Sequence, residues 1–420
     1  MAERILLNRL KTTALVKEMM NAYYEDIRQA PSQGRKVAWT TGTVPFELFR
    51  VLDIAFEHGE SYGAYTAARK GNIQLKNAAE ADGFSPDGCS YWRTVGGLAL
   101  LTQRGEEVRQ DVCLPMPDFV VAANPCQTMG LWASSLGRLC KVPTFIIDVP
   151  PPVDYTEDEF ERNTQYIMRE YKELITFLEE QTKKSFDYDK LKEILKLVKE
   201  GAILRKKSMD MCVVSPSPQS FFDCLISLGP SHALRGTPPA VEYYVKLVKE
   251  MEERVAKGIG VIPNEKYRLY WDHLPIWFKV GALSEFLGSY GAVVVCGIYT
   301  HGMFYSEAEM IDVDRPIWSL SAELAHYGCC LDARYRMNKI KEFVEKFHLD
   351  GLIMHSSRTC RPMNLGQYDI LKWAERNLGI PGVMIDGDPT DPNYYSDAQT
   401  QTRIQAFVET MEVRKRTAVR

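Results

Sequence analysis

The chain has 420 residues, 45% of them hydrophobic and 25% charged, with a net charge of −4. That length favours two or three domains, the composition is that of an ordinary globular protein, and the charge predicts no general attraction to nucleic acid or to an anionic membrane. No run of about 18 apolar residues occurs, so no transmembrane helix is expected.

Residues 1–35 open with the amphipathic stretch MAERILLNRLKTTALVKEMM, which has Glu3 early and no apolar signal core; a helical segment and a cytoplasmic location are predicted. Residues 36–150 read as a first α/β domain, with strands at KVAWTTG (36–42), DFVVAAN (118–124) and PTFIIDV (143–149) and helix-like segments over 44–57 and 127–140. Residues 151–262 are predicted mainly helical: charged with helical periodicity from Glu157 to about Glu200, helical again from about Pro238 to Lys257, with joints at PPP (150–152) and SPSP (215–218). Residues 263–420 read as a second α/β domain, with strands at 267–273, 291–299, 350–356 and 382–388 and helices over 335–347 and 366–377. Strands apolar throughout, alternating with helices, indicate parallel sheets covered on both faces. The basic tail of Arg414, Lys415, Arg416 and Arg420 reads as a solvated helix end.

The two α/β parts echo each other. DFVVAANPCQTMGLW leads to KVPTFIIDVP, and DGLIMHSSRTCRPMNLGQYD leads to GIPGVMIDGDP. Each has an apolar strand, a cysteine a few residues later, a helix, and then Pro and Asp five positions apart. Two copies of one doubly wound unit, facing each other, would give this pattern. In such sheets ligands collect beyond the carboxyl ends of the strands.

Cys126 and Cys360 fall at those ends, just before helices, where unpaired N–H groups and the helix dipole lower a thiol pKa and favour thiolate. Thiolate is what an iron–sulfur cluster binds. A third cysteine, Cys89, sits in the loop GFSPDGCSYWR. Spacings of 37 and 234 residues match no zinc ribbon or ferredoxin run. On chemistry alone a metal site, unrelated core thiols and a redox pair or nucleophile all remain open. The doublet Cys329 and Cys330 offers further ligands, because chain neighbours seldom share one packed face. Cys140, Cys212, Cys224 and Cys296 read as buried thiols; Cys113 is ambiguous. No P-loop, dinucleotide fingerprint, G-x-S-x-G or H-E-x-x-H motif is present, so any ATP must be bound by another polypeptide.

VPFELF (44–49), GCSYWR (88–93), NPCQTM (124–129), RGTPPAVEYY (235–244), EKYRLYWDHLPIW (265–277), HSSRTCRPM (355–363) and IDGDPTDPNYYSDAQTQTRIQAFVE (385–409) together resemble the 2-hydroxyacyl-CoA dehydratase/benzoyl-CoA reductase family, over roughly residues 36 to 412. The chain looks like the α-type dehydratase subunit and the reductase B-type subunit. The resemblance implies an α/β fold of two flavodoxin-like, doubly wound parallel-sheet domains with a helical connecting region. It also implies a [4Fe-4S] cluster on Cys89, Cys126 and Cys360, with one iron open. In the family a separate iron–sulfur ATPase activator supplies one low-potential electron to an acyl-CoA thioester. The resulting ketyl radical loses its hydroxyl in the dehydratases, while the reductases use the same machinery on an aromatic ring. Some relatives carry a double-cubane [8Fe-9S] cluster for electron storage or small-molecule reduction; Cys329 and Cys330, with Cys113 as a sixth thiol, would fit that alternative. The implied partner is a smaller homologous subunit, or a second copy of the chain. Glu47 matches a family acid in the first strand–helix turn and is a candidate proton-transfer group; as an acid in a first helical turn it would also favour the dipole. His355 is a candidate proton shuttle or a partner for a backbone carbonyl, and Arg358 a donor to cluster sulfide or a CoA phosphate. Asp386, Asp388 and Asp391 suggest a metal loop, but a turn and helix cap is the preferred reading.

Overall fold

The computed structural model describes residues 7–303, 308–329 and 332–418. After α1 (Thr13–Gln29) the first unit runs β1 (Val37–Thr40), α2 (Phe46–Val51), β2 (Ala55–His58), α3 (Gly59–Ala68), α4 (Asn72–Ala81), α5 (Ser90–Gln103), β3 (Phe119–Ala123), α6 (Gln127–Cys140) and β4 (Thr144–Ile147). Five helices follow: α7 (Glu157–Thr182), α8 (Tyr188–Asp210), α9 (Phe221–Ile226), α10 (Leu228–His232) and α11 (Pro238–Ala256). The second unit runs β5 (Tyr267–Asp272), α12 (Val280–Gly288), β6 (Ala292–Gly297), α13 (Pro316–Cys329), α14 (Ala333–Phe347), β7 (Gly351–Ser357), α15 (Arg361–Asn364), α16 (Gln367–Leu378), β8 (Gly382–Gly387) and α17 (Asp397–Ala418).

The strands form two four-stranded sheets, ordered β2-β1-β3-β4 and β6-β5-β7-β8, and every pairing is parallel. Both repeat the first four strands of the flavodoxin-like order, so each has its switch point between its first and third strands. The predicted fold class is borne out. Strands β1, β3, β5 and β6 are buried at every position, which is why they read as unbroken apolar runs.

One expectation is corrected. The helix predicted over 44–57 is a short helix, α2, followed by strand β2. Asp53 between them has φ +57°, which ends the helix, since few residues other than glycine hold that conformation. Four residues, AFEH, are too few to show strand periodicity.

The first core gathers residues from β1–β4, from α7 and α8, and from α13, which packs along α7. Thus α13, late in the sequence, completes the first unit. The second core is built on β5–β8 with α14, α16 and α17. Thr156 caps α7 by accepting the N–H of Glu159 at 3.2 Å, and Asp187 caps α8 by accepting the N–H groups of Asp189 and Lys190.

Helices α4 and α5 cross in close contact at Gly97, where a Cβ would lie 1.7 Å from the Leu75 carbonyl oxygen. Backbone cannot yield that distance. Gly97→Ala should therefore destabilise the protein by about 3 kcal/mol or more, measured by denaturant unfolding, and should loosen α5, whose first residue follows Cys89.

Candidate functional site

The carboxyl ends of the two sheets meet at one cavity of ≈110 Å³. The first unit contributes Thr41–Thr43 after β1, His58 at the end of β2 and Glu60 just after it, Cys89 and Tyr91 at the start of α5, and Cys126 after β3. The second contributes Leu274 after β5, Tyr299 and Met303 after β6, and Cys360 after β7. Aromatic walls are completed by Trp92, Trp132 and Tyr327.

Each of the three cysteines occupies the position just before a helix: Cys89 before α5, Cys126 before α6, Cys360 before α15. N–H groups of the first turns point at the sulfurs, from Tyr91 and Trp92 at Cys89, from Thr128 and Met129 at Cys126, and from Met363 at Cys360. They draw the thiol pKa down but stop short of capping hydrogen bonds.

Burial wins over this pull, contrary to the sequence expectation of lowered thiol pKa values. It pushes the Cys89 thiol up to about 12, with the charge of Cys126 adding to the rise. It raises Cys360 further, helped by Cys89, and raises Cys126, helped by Glu60. The three sulfurs thus lie in one another's field. Among the described residues no lysine or arginine lines the cavity. Three soft donors in an apolar space that holds no cation fit a metal centre, since only a positive charge there would repay the cost of burying thiolates. Among the described residues no three His, Cys, Asp or Glu side chains are gathered around a single ion.

The Cys360 segment is braced from below. Asp272, at the end of β5, and Arg336 of α14 form a fully buried ion pair, and Arg336 Nη1 donates to the Met363 carbonyl at 2.8 Å. Gln367 Nε2 donates to Asp272 at 3.1 Å and to the His355 carbonyl at 3.0 Å. His273, at the same strand end, holds φ +85°, a strained conformation of the kind that marks functional sites.

Other predicted residues are placed differently. His355 is buried and does not line the cavity; its Nδ1 lies 2.7 Å from the Leu274 carbonyl. It thus serves the backbone carbonyl, and burial lowers its pKa. Glu47, in the first turn of α2, is paired with Arg235, which also holds Glu323 at 2.6 Å. Both acids face a second, smaller cavity of ≈50 Å³ that shares Gly42, Thr43, Met303 and Tyr327 with the first. Arg358 is exposed and outside the lining. Cys113 lies beneath α1, where Arg28 donates to its carbonyl at 3.1 Å, and is not part of the cavity. Cys329 ends α13, and Cys330 lies outside the described residues. Cys212, Cys224 and Cys296 are buried as predicted, while Cys140 is half-buried at the end of α6. Asp388 accepts the N–H groups of Thr390 and Asp391, and Asp391 that of Asn393; the reading as a turn and cap holds for these two, whereas Asp386 is exposed at the end of β8 and paired with Arg403 at 2.9 Å.

The carboxylate the sequence reading missed is Glu60. It is the one acid lining the cysteine cavity among the described residues, and its Oε2 accepts the Gly42 N–H at 2.8 Å. Its signal was slight: an acid in the first turn after a strand that was itself overlooked. Burial, then the Glu60 charge, hold the Tyr299 phenol protonated, and burial, then His58, keep His232 uncharged.

The sequence pattern of the family described as "2-hydroxyglutaryl-CoA dehydratase, D-component" matches residues 41–411. The chain belongs to this family. It is 30% identical over 406 residues to the (R)-2-hydroxyisocaproyl-CoA dehydratase alpha subunit of Clostridioides difficile, covering 96% of each chain. It is 26% identical over 417 residues to the lactoyl-CoA dehydratase alpha subunit of Anaerotignum propionicum, covering 96% of this chain and 98% of that one. The B-type polypeptide of benzoyl-CoA reductase from Thauera aromatica is 27% identical over 423 residues, covering 97% and 96%. Membership makes the chain part of an enzyme. No helix among the described residues is long and apolar enough to cross a membrane.

In metal-free protein, Cys89 should react with iodoacetamide at pH 8 about a thousandfold more slowly than a thiol at the ordinary value of 9.0. The rate should rise with pH. Timed labelling with peptide mass spectrometry reads this; labelling as fast as a surface thiol would mean that the cavity is open to water.

Proposed function

We propose that the chain is the α-type, iron–sulfur-binding subunit of a 2-hydroxyacyl-CoA dehydratase, with Cys89, Cys126 and Cys360 as the ligands of a [4Fe-4S] cluster. The observation that carries this is the convergence of three half-buried cysteines, from both units, on one largely apolar cavity that no lysine or arginine lines among the described residues. The similarity to full-length dehydratase alpha subunits supports the choice of reaction. The name "alpha subunit" also supports assembly with a second, homologous subunit, and the absence of a P-loop supports a separate ATPase activator as electron source. When bound, the cluster supplies a low-potential electron and an open iron to the thioester carbonyl.

The chain's own residues then bind, orient and exclude water. Aromatic walls keep the cavity dry, which strengthens each electrostatic contact inside it. Glu60, held by the Gly42 N–H, is placed to take or return a proton. Tyr91 is anchored by the Trp277 indole N–H at 2.7 Å, and burial keeps its phenol protonated. Glu47 stays in its pair with Arg235 and orders the neighbouring chamber.

A ring-reductase reading is favoured by the aromatic lining and by the similarity to the B-type polypeptide of benzoyl-CoA reductase. A double-cubane cluster is favoured by Cys329, at the end of a helix whose Tyr327 lines the cavity.

Anaerobic purification should give about four irons and four sulfides per chain for one cubane, or about eight irons for a double one. With partner, activator, ATP and reductant, an (R)-2-hydroxyacyl-CoA should be dehydrated; inertness across a CoA panel would sink the dehydratase reading, and a dearomatised product from an aroyl-CoA would decide for the reductase. Glu60→Gln should lower turnover by about 10²- to 10⁴-fold with iron content unchanged, whereas Glu47→Gln should chiefly lower stability.

A further inference from the structure

The loop after β8 ties two of the three cysteines to each other. Thr359, immediately before Cys360, is buried. Its hydroxyl donates to Asp388 and accepts the N–H of Ser90 at 3.3 Å. Ser90 is the residue after Cys89. A carboxylate only accepts, so the Thr359 proton must go to Asp388 and the hydroxyl oxygen is left for the Ser90 N–H; the bond directions are fixed by elimination. On the other flank of Cys89, Arg93 Nε donates to the Gly88 carbonyl at 3.1 Å, while Nη1 of the same guanidinium reaches Asp391 at 3.0 Å. Both sides of Cys89 are therefore fastened to one turn of the second unit. The side-chain bond beside Cys126, Asn124 Nδ2 to Asp148 at 3.0 Å, stays within the first unit.

We infer that the Thr359 hydroxyl is a positioning group that sets the separation of Cys89 and Cys360 across the interface of the two units, and thereby governs how firmly the cysteine-bound group is held. This rests on the reading of the cysteines as cluster ligands. The competing explanation is that Thr359 only strengthens the interface. Asn72 separates the two, because its Nδ2 donates to the Thr390 carbonyl at 2.6 Å across the same interface without touching a cysteine segment.

The test compares wild type, T359S, T359V and N72A, purified anaerobically, by iron and sulfide per chain, rate of iron loss to a chelator, the electron paramagnetic resonance spectrum of the reduced protein, and melting of the metal-free chain. T359V keeps the shape but neither bond. It should lose iron about 10-fold faster than wild type, the scale seen when groups that orient metal ligands are removed, and its spectrum should change. T359S and N72A should match wild type in both. Should T359V not fold, T359A is read in its place. Iron retention by T359V equal to wild type, or loss from N72A as fast as from T359V, overturns the inference while leaving the cluster reading intact. A wild-type chain that binds no iron overturns both.

Discussion

Three half-buried thiols that would have to ionise share an apolar cavity that no lysine or arginine lines among the described residues, and much of the structure follows from that constraint. A thiolate in apolar surroundings is costly unless a counter-charge sits beside it. Helices α5, α6 and α15 bring three N-termini to one space, yet their partial charges do not offset the desolvation, and all three thiol pKa values rise. Carboxylates near the cysteines are engaged by other groups: Asp388 by Thr359 and its own turn, Asp391 by Lys76 and Arg93, and Asp272 by Arg336. What remains for the sulfurs is whatever enters the cavity between them.

Much of this was legible in the sequence. Strands such as VVAA and AVVV are buried on both faces, so hydrophobic runs announced them, and the echo between the 118–149 and 350–388 regions reflected two sheets of one order. The three cysteines could be picked out because each follows a strand or a loop rich in glycine and proline. The rest was hidden for local reasons. Strand β2 is four residues long and joined to α2 by a left-handed Asp53, so the segment read as one helix and Glu60 went unnoticed. Glu47 looked like a free acid because its partner, Arg235, lies 188 positions away. His355 looked reactive, but the Leu274 carbonyl that takes its ring nitrogen belongs to another strand end. Pairings across such distances leave no mark in composition or period.

The helical segment between the sheets has a similar lesson. Its charged, periodic pattern suggests a spacer, yet the apolar faces of α7 and α8 are part of the first core. That core is closed by α13, which follows β6 of the other unit. The two units are therefore interleaved along the chain, although each keeps its own sheet.

This interleaving has a consequence for biosynthesis. Cys126 leaves the ribosome 234 residues before Cys360, an interval of roughly 10–50 s at ordinary elongation rates. During it Cys89 and Cys126 belong to a unit that still lacks α13, and the turn that fastens the Cys89 loop has not been made. Any group shared by all three sulfurs must be inserted after Cys360 has been translated. Until then two thiols stand in a half-built wall, without the burial that raises their pKa in the finished cavity, and are the more open to oxidants.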